Sequence, residues 1–250
     1  MAKTATTKGP ARKAKVAQKS SSRRPNREGE TAMTADQHYE TVRAAILAAA
    51  LPDVPFDGWT GKSMRNAAKK AGVEGGLARL AFPGGTVDLV SYFAADGDRR
   101  MAEELALHDL AAMKVRERIT FAVRTRLEVD EENREALRRA TAYLALPTSG
   151  TAGVRALYAT VDAIWRAAGD TSTDYNFYTK RLILSGVYSS TLAIWFGDDS
   201  EGFEKTWAFL DRRISDVMQI EKVKGRAEKI LKAIPSPLGL VSRLRYPLGR

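Results

Sequence analysis

The sequence predicts an all-α fold of about ten helices. After residue 35, apolar residues recur at helical spacing through most of the chain. No segment shows the sustained period-two alternation that is typical of a half-buried strand. With 250 residues, 44% of them apolar, the chain can bury a sizeable core within one domain flanked by tails.

The positive charge is concentrated at the two ends of the chain. Residues 1–30 hold nine Lys or Arg against two Glu, and residues 222–250 hold eight against one Glu, so the middle is mildly acidic. Residues 1–35 contain almost no large apolar side chain, so we expect a disordered basic tail there. A mitochondrial transit peptide needs an amphipathic face, whereas Val16 is the only bulky aliphatic residue before Met33. A flexible bacterial extension is therefore favoured.

The first helical segment is a leading helix. Tyr39, Val42, Ile46 and Ala49 fall on one face of it, and Pro52 follows where a helix is expected to end. This helix marks the predicted start of the folded domain, which we place at residues 36–217.

Two short helices follow in the proportions of a helix-turn-helix. Thr60 can cap the first, which stops at Gly72, and the second extends from Gly75 to Phe82. A TetR-type DNA-binding regulator is therefore an open alternative. The second short helix would be the recognition helix, but Arg79 is its only side chain suited to reading base edges. We expect a degenerate helix-turn-helix without sequence-specific nucleic-acid binding.

Four further helices complete the middle of the domain. Thr86 can cap a longer helix, which we expect to be interrupted at residues 96–98, Asp-Gly-Asp. Three more are predicted by apolar stripes, and Pro147 closes the second of these. The stripes are Val115, Ile119, Ala122 and Val123; Ala136, Leu137, Ala140 and Leu144; and Val154, Leu157, Tyr158, Val161, Ile164, Trp165 and Ala168.

The next helix is predicted from an uncharged segment, residues 182–197. Its sixteen residues are fewer than the roughly 20 needed to cross a bilayer, so we predict a helix with almost no side exposed to solvent. Small residues leave room beside it for a partner helix or an apolar ligand. They are Ser185, Gly186, Ser189 and Ser190.

The segment that leads into this helix, GDTSTDYNFYTKR from Gly169, carries a family resemblance. It resembles the accessory proteins of ubiquinone (coenzyme Q) biosynthesis that are conventionally numbered nine in that pathway, which are lipid-binding relatives of the TetR regulators. The likeness is most specific over residues 172–179 and extends over roughly residues 36–222. Phe177 departs from the family, in which Trp is expected in many relatives. Supporting matches lie at residues 81–85, 124–128, 197–200 and 206–213.

The resemblance implies a homodimeric, TetR-like helical domain that binds an isoprenoid quinone intermediate or another lipid. It also implies presentation of that lipid to the di-iron demethoxyubiquinone hydroxylase, with Asp174, Phe177 and Tyr178 as the contacts. A packed first turn is the alternative role of the two rings. For the pocket we predict six residues of the uncharged helix and the stripe before it, which could equally be core or dimer interface. They are Ile164, Trp165, Leu182, Ile183, Val187 and Leu192.

The sequence offers no catalytic or metal-binding constellation, so we predict a protein that is not an enzyme and has no cofactor. It has no cysteine and no Glu-x-x-His pair, which excludes thiolate sites and a carboxylate-bridged di-iron centre. Residues 61–63, Gly-Lys-Ser, match the end of a phosphate-binding loop, but that motif needs a glycine five residues earlier, where Phe56 lies. We therefore predict a turn that leads into a helix. Glu104 and His108 are predicted to form an exposed polar pair, and Asp198 to cap a helix.

The last helix, from about Phe203 to Ile234, indicates contact with a membrane surface. Its part over residues 218–234 is amphipathic with an almost purely cationic polar face, and residues 235–250 form a basic tail. Attraction to anionic lipid predicts attachment that salt releases. The contact candidates are the apolar Ile220, Val223, Ile230, Leu231 and Ile234 and the cationic Lys222, Arg226 and Lys229.

Three functional classes follow from the sequence. The first is a lipid-presenting accessory protein, the second a TetR-type DNA-binding regulator, and the third a generic membrane-associated adaptor. For the first class we expect a cytoplasmic protein peripheral to the inner membrane in a bacterium, or one at the mitochondrial inner membrane in a eukaryote.

Overall fold

The structure, a computed structural model, describes residues 27–170 and 175–217, with side chains described over residues 36–170 and 177–217. Every regular element within these residues is helical, which confirms the all-α prediction. The chain divides into two compact units, Met1–Tyr39 and Glu40–Arg250. The described part of the first unit is the beginning of the first helix, and the second unit contains the remaining described helices.

Ten α-helices lie within the described residues. The first begins at Arg27, within the segment for which the sequence predicts a tail. Residues 1–26 lie outside the described residues, so the boundary at residue 36 stays a prediction. The helices are α1 (Arg27–Ala50), α2 (Val54–Asp57), α3 (Gly61–Lys70), α4 (Gly75–Ala81), α5 (Thr86–Leu105), α6 (Val115–Glu128), α7 (Arg134–Leu144), α8 (Ala152–Ala167), α9 (Tyr175–Phe196) and α10 (residues 204–217).

The ends of the short helices follow local sequence signals. The Thr60 hydroxyl accepts the backbone N–H of Ser63 at 3.0 Å, and the Ser63 hydroxyl accepts the N–H of Thr60 at 2.9 Å. This reciprocal capping confirms the predicted start of α3. Gly72 follows α3 in the left-handed region, with φ 68°. At α5 the prediction was one residue off, because Gly85 occupies the cap position and Thr86 is the first helical residue.

Helix α5 continues without a break through residues 96–98, so the predicted interruption was wrong. Arg100 donates to Asp96 with an Nε–Oδ2 distance of 2.9 Å, and Arg126 donates to Asp98 with an Nε–Oδ1 distance of 2.7 Å. Gly97 lies against the Arg126 guanidinium, which a Cβ at that position would approach to 2.6 Å. The Arg100–Asp96 pair within α5 and the tertiary contacts of Arg126 outweigh the low helix propensity of Asp and Gly.

The core forms around α5, which packs against α6 and α8, while α8 packs against α9. Phe93 and Met101 of α5, Leu127 of α6 and Ile164 of α8 are fully buried there. Each such side chain contributes about 1.5–3 kcal/mol to folding through burial of apolar surface. This packing holds α7, α8 and α9 in fixed positions around the candidate site.

Helix α9 exposes one face, contrary to the prediction that almost none of it meets solvent. Leu182 is 75% exposed, and Gly186, Ser189 and Ala193 continue the same face along the helix. Ile194, beside this row, is also exposed. The uncharged sequence therefore produces an apolar surface strip as well as a buried side. We call these five residues the α9 strip.

The connection from α9 to α10 is organised by Asp198, as the sequence predicts for a capping residue. Its Oδ1 accepts the backbone N–H of Ser200 at 3.0 Å. Its Oδ2 accepts the backbone N–H of Thr206 at 2.8 Å and the Thr206 hydroxyl at 2.7 Å. Burial opposes ionisation, but the hydrogen bonds from Ser200 and Thr206 hold the pKa of Asp198 well below its usual range.

Candidate functional site

A cavity of about 510 Å³ lies among α7, α8 and α9, and residues of α5 and α6 complete its lining. This volume lies within the roughly 300–1,000 Å³ that is typical of small-molecule sites. Most of the lining is aliphatic or aromatic, which suits an apolar ligand. The larger apolar residues are Leu137, Leu144, Leu146, Val154, Leu157, Leu192 and Phe196.

Small side chains create this space. Gly153 at the start of α8 lies so close to α7 that a Cβ there would come within 2.5 Å of the Leu144 carbonyl oxygen. Ala140 and Ala156 line the cavity beyond this close approach and leave it unfilled. Of the four small α9 residues that the sequence singled out, Ser189 is the one that lines the cavity.

A buried ion network borders the cavity. The Arg126 guanidinium lines the cavity and donates to Asp98 at 2.7 Å and to Asp130 at 2.6 Å. The Thr160 hydroxyl donates to Asp98 at 3.0 Å. Burial raises the pKa of Asp98, and the Arg126 guanidinium opposes that rise. Removing one partner from such a network leaves an uncompensated buried charge, which costs about 3–5 kcal/mol.

Tyr188 of α9 adds a further polar group to the cavity lining. Its side chain is buried, and burial raises the pKa of Tyr188 to about 12. The hydroxyl therefore keeps its proton at neutral pH and can act as a hydrogen-bond donor. Tyr188 was not predicted from the sequence, because nothing in the uncharged segment 182–197 distinguishes it from a packed core residue.

The six residues predicted to bind lipid do not face one common cavity. Leu192 lines the large cavity. Ile164 is fully buried in the core, and Leu182 belongs to the α9 strip. The other three line a separate groove of about 70 Å³ between α9 and α10. They are Trp165, Ile183 and Val187.

The last described residues of the chain form one side of this smaller groove. Ile214 and Val217 of α10 line it, and the buried indole N–H of Trp165 has no hydrogen-bond partner among the described residues. The chain continues from here into residues 218–250. All eight predicted membrane-contact residues lie beyond the described part of the chain and stay predictions. They are Ile220, Lys222, Val223, Arg226, Lys229, Ile230, Leu231 and Ile234.

Two of the three predicted hydroxylase contacts are described, and their surroundings differ. Tyr178 is 67% exposed at the first turn of α9. Its ring meets that of Phe177 edge to face, with the centroids 5.1 Å apart. Phe177 is only half-buried, but its ring packs against the guanidinium of Arg181. Asp174 lies outside the described residues.

Arg181 joins this first turn of α9 to α8, a role that the sequence analysis did not anticipate. Its side chain is buried, and its Nε donates to Oδ1 of Asp162 at 2.7 Å. One of its Nη atoms donates to Asp170 at 3.2 Å and to the Phe177 carbonyl oxygen at 3.2 Å. Phe177 is one helical turn from Arg181, but Asp162 and Asp170 are 19 and 11 residues away, too far for local spacing to reveal them.

The helix in the recognition position, α4, presents few groups that can read DNA. Arg79 and Leu80 are exposed on it, whereas Ala78 and Ala81 are buried. Arg43 of α1 donates to the Ala81 carbonyl oxygen at 2.9 Å, which ties the end of α4 to α1. The exposed side of α4 therefore offers one cationic side chain next to a large apolar one.

The polar pair at the end of α5 matches its prediction. Glu104 and His108 are both exposed, and the Oε1–Nε2 distance is 3.5 Å. Within the described residues, no group of three His, Asp or Glu side chains could hold a metal ion. No described helix is long and apolar enough to span a bilayer.

A long first helix, three short helices (α2 to α4) and a following helical bundle define a protein of the TetR fold class. Consistent with this, the crystal structure of the TetR transcriptional regulator from Nitrosomonas europaea ATCC 19718 is similar, with a TM-score of 0.56 and 21% sequence identity. The match covers 69% of this chain and 95% of that chain. At this identity the likeness concerns the fold alone.

Within that fold class, the chain belongs to the COQ9 family. The COQ9 family model matches residues 150–221, which include the motif at residues 172–179. The mitochondrial ubiquinone biosynthesis protein COQ9 of Rattus norvegicus is 33% identical over 227 residues, covering 85% of this chain and 72% of that protein. The Homo sapiens protein of the same name is 32% identical over 206 residues, covering 78% of this chain. This chain spans 64% of the length of the human relative. The resemblance inferred from the sequence is confirmed.

Proposed function

We propose that this protein is a non-catalytic, lipid-binding accessory protein of ubiquinone biosynthesis. The observation that carries the proposal is the largely apolar cavity of about 510 Å³ among α7, α8 and α9. Burying a lipid tail there contributes about 0.8 kcal/mol per CH₂ group. Capture of a lipid therefore needs no reactive side chain.

The ligand in this proposal is an isoprenoid quinone intermediate of the pathway, or a closely related lipid. Support comes from the relatives, which are named as ubiquinone biosynthesis proteins, together with the apolar cavity. The cavity volume matches a ring and the adjoining part of a tail better than a complete long prenyl chain. The remainder of the tail then extends through the opening of the cavity.

The partner in this proposal is the di-iron demethoxyubiquinone hydroxylase, which carries out the chemistry on the delivered lipid. Tyr178, with Phe177 and Asp174, is the proposed contact surface. The exposure of Tyr178 supports this role, because an exposed aromatic ring is a common anchor of protein interfaces.

The site of action in this proposal is a membrane surface. Residues 218–234 are the proposed contact. The proposed surface is the inner membrane of a bacterium or of a mitochondrion, and the names of the relatives as mitochondrial proteins support a mitochondrial location. We also propose that the protein acts as a homodimer. Leu182 and Ile194 of the α9 strip are exposed apolar residues that a second copy would cover.

DNA binding, the alternative function, lacks comparable support because α4 offers Arg79 alone for base readout.

The experiment that tests this proposal fills the cavity. In the Leu157→Trp variant, the indole ring should occupy the cavity, and the protein should take up far less polyprenylated quinone from doped vesicles. Uptake is measured by mass spectrometry of lipid in the protein fraction after gel filtration. Leu107→Trp is the matched control, because Leu107 is exposed and does not line the cavity. Equal uptake by both variants, with their helical signal intact, would count against this cavity as the binding site.

A further inference from the structure

The large cavity has a buried end, which includes polar side chains, and an exposed end, which includes apolar ones. Arg126 and Tyr188 line it and are 1% and 5% exposed, and Thr160 beside them is also buried. Leu146 and Val154 line the same cavity and are largely exposed, with Val154 at 73%. A ligand with one polar and one apolar end therefore has a defined orientation in this site.

Most polar groups at the buried end already have partners. Arg126 donates to Asp98, to Asp130 and to the Ala94 carbonyl oxygen, the last at 3.2 Å. The Thr160 hydroxyl donates to Asp98. These groups form a closed network whose hydrogen bonds are made within the protein. They hold the buried end in place and leave little donor capacity facing the cavity.

Tyr188 is the exception. Its hydroxyl makes no hydrogen bond with any described residue, although the side chain is almost completely buried and lines the cavity. A hydroxyl that is left without a partner when an apolar ligand fills the cavity costs about 1–3 kcal/mol relative to a satisfied one. A ligand atom that accepts a hydrogen bond at this position removes that cost.

We propose that the Tyr188 hydroxyl donates a hydrogen bond to a ring oxygen of the bound lipid, so that the ring lies at the buried end and the tail extends towards Leu146 and Val154. The class of ligand is a prenylated quinone or phenol. This inference rests on the proposed function and adds the orientation and selectivity of binding to it. The raised pKa supports the role of Tyr188 as a donor, because the hydroxyl stays protonated at neutral pH.

Selectivity follows from the cost of leaving this hydroxyl unsatisfied. A hydrocarbon of the same shape leaves Tyr188 without an acceptor, so the site should discriminate against lipids without a ring oxygen. Loss of one such hydrogen bond corresponds to roughly a tenfold change in affinity. In this orientation the protein shields the ring from solvent until the ligand leaves the cavity.

The test compares two probes on the full-length protein by isothermal titration calorimetry. One probe is a benzoquinone with a decyl tail, and the other is a benzene ring with the same tail. Wild type should bind the quinone about tenfold more tightly than the hydrocarbon, and Tyr188→Phe should remove most of that preference. Tyr158→Phe is the matched control, because Tyr158 lies on α8, is exposed and does not line the cavity.

A second measurement does not depend on a variant. In wild type, the infrared carbonyl band of the bound quinone should shift to lower frequency, as expected for a hydrogen-bonded carbonyl. Equal affinity of wild type for both probes, or an unshifted carbonyl band, overturns the assignment of Tyr188 and leaves lipid binding intact. Binding of neither probe overturns the proposed function together with this inference.

Discussion

The guanidinium of Arg181 lies 3.4 Å from the centroid of the Phe177 ring. The same guanidinium donates to Asp162 on α8 and to Asp170 before α9, so it holds the first turn of α9 in place. Phe177 is packed on one side by this arrangement, whereas the neighbouring Tyr178 extends into solvent. The exposed Tyr178 ring is therefore available to a partner protein, whereas the Phe177 ring contributes to the packing of the first turn of α9.

This difference predicts separable effects at the proposed hydroxylase contact. Tyr178→Ala should abolish co-purification with the hydroxylase and change the free energy of unfolding by less than about 0.5 kcal/mol, because Tyr178 is exposed. Phe177→Ala should lower that free energy by about 1–3 kcal/mol, because it removes a ring that packs against Arg181. Pull-down and urea denaturation measure the two effects, with Tyr158→Ala as the exposed-tyrosine control. Retention of the hydroxylase by Tyr178→Ala argues against this surface.

The close approach of Gly97 and Arg126 predicts a destabilising effect of a single methyl group. Gly97→Ala should lower the free energy of unfolding by about 1–3 kcal/mol, because the added Cβ would lie 2.6 Å from a guanidinium fixed by two buried carboxylates. Gly76→Ala is the matched control. No atom lies within 4 Å of its added Cβ, so higher helix propensity should leave the free energy unchanged or raise it by up to about 1 kcal/mol. Thermal and urea unfolding give both values, and equal effects would refute this explanation.

The lowered pKa of Asp198 predicts a dependence of stability on pH in acid. The unfolded chain has an Asp pKa of about 3.9, and the folded pKa lies well below it. The ionised carboxylate therefore stabilises the fold fully above about pH 5, and this contribution decreases as the pH falls towards the folded pKa. The difference in unfolding free energy between wild type and Asp198→Asn should shrink between about pH 6 and about pH 3. A constant difference over this range would contradict the account.

The basic segment after α10 predicts salt-sensitive attachment to membranes. Removal of residues 218–250 should abolish flotation with anionic liposomes, and so should the triple change of Lys222, Arg226 and Lys229 to Glu. Raising the salt concentration should release the wild-type protein, because exposed charges are screened. Equal flotation of the full-length and shortened proteins would end this part of the proposal.

The sequence predicted most of the fold because each helix carries its own periodic pattern. The apolar stripes placed α6, α7 and α8 correctly, and the Thr60 capping signal placed α3. The prediction failed at residues 96–98, where Asp-Gly-Asp reads locally as a break. The partner that keeps this stretch helical, Arg126, lies 28 residues after Asp98, so no local pattern could reveal it.

The candidate site was less predictable than the fold. Leu192 was predicted and lines the large cavity, but much of the rest of the lining comes from α7 and the beginning of α8. The residues that line the cavity depend on how closely α7, α8 and α9 approach one another. The distance between α7 and α8 is set by the contact of Gly153 with the Leu144 carbonyl. Tyr188 was missed because its surroundings, rather than its neighbours in sequence, make its hydroxyl important.

The central claim is that the cavity among α7, α8 and α9 holds a lipid. Native mass spectrometry of the full-length protein, purified without detergent from cells that make ubiquinone, tests it most directly. The account predicts a population with one added mass per subunit that fragments to a prenylated quinone or phenol, and predicts its loss in Leu157→Trp. A folded protein that carries only its own mass, in repeated preparations with quinone present, would contradict the claim.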